Sequence, residues 1–332
     1  MRTETVAAIS DRRPRSQTAA TERAVELLGQ GEVVALPTET VYGLAADALN
    51  PIAVAKIFEA KSRPHFDPLI IHLPDTDWLE KIADIPSPDQ QLISGLTEKF
   101  WPGPFTLVLP RRRIVPEIVT AGLETVALRI SAHPVFSEII HRFGKPLAAP
   151  SANRFGRTSP TTAKHVMDEL SGRIPLIIDA GPTTHGIEST IVGVHGDKIQ
   201  ILRRGPITAE QLSEFRKVEI AEAGPKISAP GQLVSHYAPS TPLRLIDSAE
   251  TFVPELNRRV ALLGWNPVEK EDCFVATRNL SDTQDLREAA VNLFRYLREL
   301  DELGVDLIVA ERVPDQGLGS AILDRLTRAS HA

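Results

Sequence analysis

Two pairs of side chains in this chain are spaced to act together. Lys61 and Arg63, in KSRP, sit two positions apart and are followed by Pro64. A proline disfavours the helical region for the residue before it, so Arg63 is expected to be extended. In an extended segment residues i and i+2 share a face, and both cations can aim at one anion. Two solvated charges favouring the dipole at a helix end would fit the same residues. Ser151 and Asn153, in APSAN, repeat the spacing just after a proline and offer a hydroxyl and an amide in one direction. Taken singly they are ordinary turn formers. Together the two pairs point to a polyphosphate or nucleotide site.

A third stretch, LPTETVYG (36–43), would set Thr38, Thr40 and Tyr42 on one face at strand spacing, a row of hydroxyls suited to a small polar ligand. The same residues are good strand formers. His72 alternates with Leu69, Ile71 and Leu73 in PLIIHL, which puts it on the opposite strand face, beside Ile70. The sequence lacks G-x-x-x-x-G-K-[ST], so bound ATP is not expected in a P-loop. No G-x-G-x-x-G follows a strand, and GLGS (317–320), opening the last helix, is only a partial look-alike. With neither H-E-x-x-H nor paired C-x-x-C there is no zinc site to expect, and no Ser-His-Asp arrangement stands out.

The elements that must hold these residues follow from hydrophobic periodicity. TAATERAVELLG (18–29) reads as the first helix, with Ala24, Leu27 and Leu28 on one face and a glycine stop. EVVALPT is a strand ending at Pro37. Asn50 then Pro51, a cap followed by a first-turn proline, opens the helix PIAVAKIFEAK that delivers Lys61. PLIIHL (68–73), FTLVL (105–109), TVALRI (125–130), PLAAP (146–150) and PLIID (175–179) are short apolar strands. STIVGVHGDKIQIL is a hairpin turning at Gly196 and Asp197, and Thr208 with Gln211 forms a capping box.

Between 221 and 242, AEAGPKISAPGQLVSHYAPSTP is rich in glycine, proline and serine with little apolar periodicity, as a domain linker would be. Beyond it come strand LRLID, a helix, strands RVALLGW and FVAT, a helix over 282–303, strand DLIVAE and a terminal helix. That alternation argues for a small, mostly parallel, Rossmann-like sheet. The expected fold class is α/β throughout: a twisted mixed sheet with helices, not doubly wound in any simple order, then a smaller Rossmann-like α/β domain. The expected boundaries are a flexible tail at 1–17, an N-terminal α/β domain at 18–216, a linker at 217–242 and a C-terminal domain at 243–332.

At 332 residues the chain can bury at least one sizeable core. A net charge of −6 and the isolation of the Arg111–Arg113 run argue against a broad nucleic-acid footprint. The single cysteine, Cys273, excludes an internal disulfide and fits a reducing compartment; in DCFV it reads as a buried strand thiol rather than a nucleophile. No apolar run approaches the roughly 20 residues of a membrane span. The opening MRTETVAAISDRRPRSQ lacks the apolar centre of a secretion signal, so a cytoplasmic location is expected.

Taken in order, LPTETVYGL, KIFEAKSRP, PLIIHL, WPGPFTLVL, VALRISAHP, APSANRFGRTSPTTA and GIESTIV resemble the YrdC-like domain of threonylcarbamoyl-AMP synthases. Lys61, Arg63, Ser151 and Asn153 meet that family's K-x-R and distant S-x-N pattern. The remainder, GQLVSHYAPSTPL and an α/β domain ending GLGSAILDRLTRAS, resembles the longer two-domain form, so that the likeness covers nearly the whole chain after the first 17 or so residues. The resemblance implies an enzyme, a nucleotidyltransferase, that joins L-threonine, bicarbonate and ATP into threonylcarbamoyl-AMP with release of pyrophosphate. A transient hand-over to a second enzyme would then carry the threonylcarbamoyl group to the adenosine beside the anticodon of tRNA.

Position by position, the resemblance implies Thr40, His72 and Arg129 for L-threonine, with Ala149 and Ser189 beside them. It implies Lys61, Arg63, Asp67, Thr125, Ser151, Asn153, Ser159 and Arg203 for ATP, with linker Tyr237 closing over the nucleotide. Arg129 suits a carboxylate because guanidinium pairs bidentately with a planar anion. Asp67, in HFDPL, stands where the family often has asparagine, and a carboxylate there repels polyphosphate unless Mg²⁺ intervenes.

The implied reaction needs threonine's amine to capture bicarbonate or CO₂ as a carbamate, which then attacks the α-phosphorus. Carbamates decompose readily in water, so a lid is required. Gly224, Pro225, Pro230 and Gly231 give the linker hinge chemistry for one. Lys61 and Arg63 are the expected catalytic residues, stabilising the pentavalent phosphate. Mg²⁺ is expected through the ATP phosphates rather than through protein side chains. Two rivals remain: an RNA- or ribosome-binding YrdC-like module without synthase activity, opposed by the acidic charge, and another carbamoyl-transfer enzyme, opposed by the lone cysteine.

Overall fold

The computed structural model describes residues 2–7, 14–221, 229–233, 236–266 and 273–331. The chain divides into two compact units, the first comprising Met1–Phe155, Pro160–Thr184 and Glu188–Gln232, the second Gly156–Ser159, His185–Ile187 and Leu233–Ala332. Of the linker residues expected to act as hinges, Gly224 and Pro225 lie outside the described residues.

In chain order the strands of the first unit are β1 (Glu4–Ala7), β2 (Val34–Leu36), β3 (Gly43–Asp47), β4 (Ile70–His72), β5 (Phe105–Pro110), β6 (Thr125–Arg129), β7 (Leu147–Ala148), β8 (Leu176–Asp179), β9 (Thr190–His195), β10 (Lys198–Arg203) and β11 (Lys217–Ile220). They form one eleven-stranded sheet in the order β1-β8-β2-β3-β7-β4-β6-β5-β9-β10-β11. β4 with β6 and β5 with β9 are parallel, whereas β5 with β6 and β4 with β7 are antiparallel, the mixed arrangement expected.

Alternating residues of these strands feed two apolar layers. Val34, Leu36 and Ala45 pack against α1 (Pro14–Gly29) and the helix Pro134–Phe143, through Ala24, Leu27, Leu28, Phe136 and Ile139. Ala35, Leu44 and Ala46 face the other way, towards α2 (Pro51–Lys61) and the helix Gln90–Phe100, through Val54, Ile57, Phe58, Ile93 and Leu96.

α2 begins as its sequence dictates: the Asn50 side chain accepts from the N–H groups of Ile52 and Ala53, and Pro51 occupies the first turn. It ends differently from expectation. Ser62 is a left-handed C-cap at φ 51, its N–H turning back to Phe58 and Glu59, so Lys61 and Arg63 are not two residues of an extended segment. LPTETVYG is likewise not a continuous strand. Pro37 has no N–H for a ladder, and the Thr38 hydroxyl takes the N–H groups of Thr40 and Val41 at 3.1 and 3.2 Å, which curls 37–42 into a loop between β2 and β3. Tyr42 leaves the hydroxyl row altogether: it is fully buried and donates to the Gly181 carbonyl at 2.7 Å.

The segment expected to be a tail contributes β1, parallel to β8, and the start of α1 at Pro14. Its residues 4–7 are mostly exposed, so no apolar alternation marks them. The second unit carries β12 (Leu243–Ile246), β13 (Val260–Gly264), β14 (Ala276–Asn279) and β15 (Leu307–Glu311), all parallel in the order β12-β15-β13-β14, with helices Leu286–Asp301 and Leu318–Ala329. This is the parallel Rossmann-like sheet the sequence predicts, except that the helix expected after LRLID is only a three-residue 3-10 turn, Ala249–Thr251. Cys273 is exposed and precedes β14, not a buried strand thiol: Phe274 turns inward and Val275 is exposed. Among the described residues no helix is long and apolar enough to cross a membrane.

Candidate active site

One face of the first sheet carries the expected residues. With period two, His72 shares its side of β4 with Ile70, and Thr125 and Arg129 share theirs with Ala127. Ile70, Ala127 and Ile191 pack there against Ala229, which comes from the linker. The next residues hold that segment down: Gln232 donates to the Leu202 carbonyl at 3.3 Å and accepts the Ala229 N–H at 3.1 Å.

At one side of this face the cations gather around a buried carboxylate. Lys61 is 1% exposed, and its Nζ donates to the carbonyls of Ser151 and Asn153 at 2.5 Å each. The contact is therefore with the backbone of APSAN. Arg63 donates to the carbonyls of Asp67 and Pro68 at 3.2 and 2.8 Å and pairs with the Asp67 carboxylate at 2.9 Å. Burial, then the charge of Arg63, holds the Lys61 ammonium well below the usual lysine range. Burial pushes the Asp67 carboxyl up, against the pull of Arg63, Lys61 and Arg203.

Arg203 extends the group. Its Nε and Nη2 donate to the carbonyl and hydroxyl of Ser189 at 3.1 and 3.0 Å, and Ser189 shares a 2.8 Å hydrogen bond with Thr106. Gly205 allows this approach: a Cβ there would stand 2.4 Å from the Thr190 nitrogen and 2.6 Å from the Glu188 carbonyl oxygen. One expected nucleotide residue and one expected threonine residue are thus joined directly.

The third cluster centres on Arg129. Its Nη1 donates to the Thr40 hydroxyl at 3.0 Å, its Nε to the Gly103 carbonyl at 3.0 Å and its Nη2 to Glu39 at 2.5 Å. Ser131 donates to the other Glu39 oxygen at 2.5 Å. Burial pushes the Glu39 carboxyl up, but the Arg129 charge and these hydrogen bonds outweigh it and hold it at about 2. His72 faces Arg129 in the β4–β6 register, lies tilted against Phe136 with ring centroids 4.7 Å apart, and its buried Nδ1 has no hydrogen-bond partner. Burial and then Arg129 lower its pKa to about 3, so the ring is neutral. Ala149 donates its N–H to the Ile70 carbonyl at 3.0 Å, alongside the same strand. Thr125 opens β6, half-buried.

Ser159 and Tyr237 fall in the second unit. Ser159 is fully buried. Tyr237 has φ 67, is 1% exposed, stacks on Phe294 at 5.6 Å and lies under the Arg325 guanidinium at 5.0 Å. Glu39, Thr106 and Ser131 were not singled out from the sequence. Glu39 is the one charge within a hydroxyl-rich stretch, but its partner Arg129 lies 90 residues away and only the sheet brings them together.

The arrangement offers fixed cations beside a guanidinium-carboxylate pair and a neutral imidazole, chemistry suited to an anionic nucleotide next to a small amino acid. Comparison with known proteins agrees with it. The Sua5_yciO_yrdC family model, described as telomere recombination, matches residues 26–205, and the threonylcarbamoyl-AMP synthase C-terminal domain model matches residues 207–331. The threonylcarbamoyl-AMP synthase of Pyrococcus abyssi is 39% identical, covering 92% of this chain and 93% of its own. That of Bacillus subtilis is 41% identical, covering 93% and 92%. The crystal structure of P. abyssi Sua5 complexed with L-threonine aligns with a TM-score of 0.88 at 35% identity, over 99% of this chain and 98% of that one. Matched along almost all of its length, the chain belongs to the threonylcarbamoyl-AMP synthase family, in the form whose YrdC-like domain is followed by a second α/β domain.

Proposed function

We propose that this protein is an L-threonylcarbamoyladenylate synthase, a nucleotidyltransferase that joins L-threonine, bicarbonate and ATP, releases pyrophosphate, and serves the threonylcarbamoyladenosine modification of tRNA in the cytoplasm. The observation that carries the reading is the presence in the first unit of two buried clusters, the Lys61, Arg63 and Asp67 charges with Arg203 bonded to Ser189, and Arg129 paired to Glu39 opposite His72 on adjacent strands β4 and β6. The relative solved with L-threonine supports the amino acid as substrate.

In this reading Arg129 receives the threonine carboxylate and Thr40 fixes the guanidinium beside it. His72 stays neutral at working pH, so it offers a hydrogen bond without adding a charge near the amine that must capture CO₂. Lys61 and Arg63 stand where charge develops as the carbamate oxygen attacks the α-phosphorus and pyrophosphate departs. A polyphosphate arriving beside Lys61 favours its charged form, against the burial that disfavours it.

Mg²⁺ enters with the nucleotide, held by its phosphates and offsetting their charge, while Asp67 is engaged by Arg63. Residues 229–232, seated on the site face, are the near end of the lid. The product passes to a separate tRNA-modifying transferase.

Thermal melting tests the reading. ATP with L-threonine raises Tm of the wild-type protein, through ligand binding to the folded state. A module that only binds RNA would melt at the same temperature with and without them and shift with duplex RNA instead.

A further inference from the structure

Arg129 is already committed before any substrate arrives. A guanidinium has five N–H groups. Three are taken, by Gly103, Thr40 and Glu39, which leaves one N–H on each terminal nitrogen for a ligand. A planar carboxylate is matched by such a pair only if the guanidinium is held in one rotation about its stem. Gly103 and Thr40 are neutral anchors. Glu39 is the charged one, and it is itself held by the Ser131 hydroxyl and buried to 6% exposure. Its carboxylate is too weak a base to take a proton from an ammonium, so it does not serve the amine as a base. It also cancels the charge of Arg129, and with a neutral His72 the cluster carries no net charge, as suits a zwitterionic amino acid.

We infer that Glu39 is the positioning residue for threonine recognition: through its ion pair it orients the Arg129 guanidinium to receive the substrate carboxylate, with Ser131 as its own support. This rests on the synthase reading above. Glu39 touches no substrate and acts only through Arg129.

Pyrophosphate release, followed with L-threonine and ATP varied separately, tests it in wild type, Glu39→Gln, Glu39→Asp and Ser131→Ala. Loss of a hydrogen bond to a charged group costs about 10-fold or more in affinity. Glu39→Gln is therefore expected to raise KM for threonine about 10-fold or more while KM for ATP stays within about twofold and kcat at saturating threonine is largely kept. Glu39→Asp retains the charge and lies between. Ser131→Ala, which removes only a hydroxyl, raises KM for threonine about threefold and covers the case in which Glu39→Gln does not fold.

A structural role alone would lower kcat or move both KM values together and leave no threonine-specific effect. Unchanged KM for threonine in Glu39→Gln and Ser131→Ala, or a parallel rise in both KM values, overturns the inference and leaves the synthase reading standing. A wild-type protein that releases no pyrophosphate in response to threonine overturns both.

Discussion

Lys61 Nζ donates a 2.5 Å hydrogen bond to the carbonyl of Asn153, across 92 residues of sequence, and a second to the carbonyl of Ser151. The K-x-R and S-x-N stretches are therefore one structural unit, clasped by the ammonium that the chemistry also needs. In the opposite direction Phe155 donates its N–H to the Lys61 carbonyl at 2.9 Å. Lys61→Ala should accordingly have two separable effects. Losing one pre-placed charge donor lowers kcat by about 10²-fold or more. Leaving two buried carbonyls without their donor lowers stability by about 1–3 kcal/mol. Turnover measured beside a urea melt separates them, and near-normal turnover would refute the catalytic assignment.

Asp67 competes with phosphate for Arg63. The pair is 2.9 Å long with both side chains buried, and a polyphosphate seeking Arg63 must share it with a carboxylate. Asp67→Asn keeps the shape and removes the charge, so KM for ATP is expected to fall about 10-fold or more, the scale of one charged hydrogen bond regained. A higher KM for ATP would mean that Asp67 supports the nucleotide instead of opposing it.

Glu39 makes stability depend on acid. Its carboxyl sits at about 2 in the folded state against an ordinary 4.5. A depressed carboxyl contributes stability that is complete above the unfolded value and is lost as pH falls through the folded one. The shift corresponds to about 3 kcal/mol at pH 7. Urea melts should show Glu39→Gln less stable than wild type by about that amount at pH 7 and by less than half of it near pH 3. An equal deficit at both pH values would mean that packing, not charge, is what the substitution removes.

The second unit has its own buried carboxylate. Glu311, at the end of β15, is 1% exposed and accepts the N–H groups of Ala249, Trp265 and Asn266 at 2.7, 2.8 and 2.9 Å. It ties two loops, those following β12 and β13, to the carboxyl edge of the parallel sheet. Glu311→Ala strands all three donors, and a loss of about 3–5 kcal/mol is expected in chemical denaturation. Threonine-dependent chemistry measured well below the melting temperature should be changed far less than by Lys61→Ala.

The fold was legible where local signals agree. The Asn50-Pro51 helix start, the Thr208 capping box, the hairpin at Gly196 and the parallel strands after Leu243 all appear as the residues predict. The exceptions share a cause. β1 is an exposed edge, so it carries no alternation; Ser62 takes a left-handed cap that serine seldom adopts; and Thr38 gives its hydroxyl to the backbone in place of a strand ladder. Candidate site residues are suggested by motifs, but their partners are not. Glu39, Thr106 and Ser131 become visible only when sheet pairing sets β5, β6 and the β2–β3 loop against one another.

The central claim is that one pocket joins three substrates at fixed cations. Pyrophosphate release should be measured with L-threonine, bicarbonate and ATP present together and with each omitted in turn. The account predicts release only in the complete mixture, falling to background on any omission and in Lys61→Ala. Release that persists without threonine or without bicarbonate, or none in the complete mixture, would contradict it.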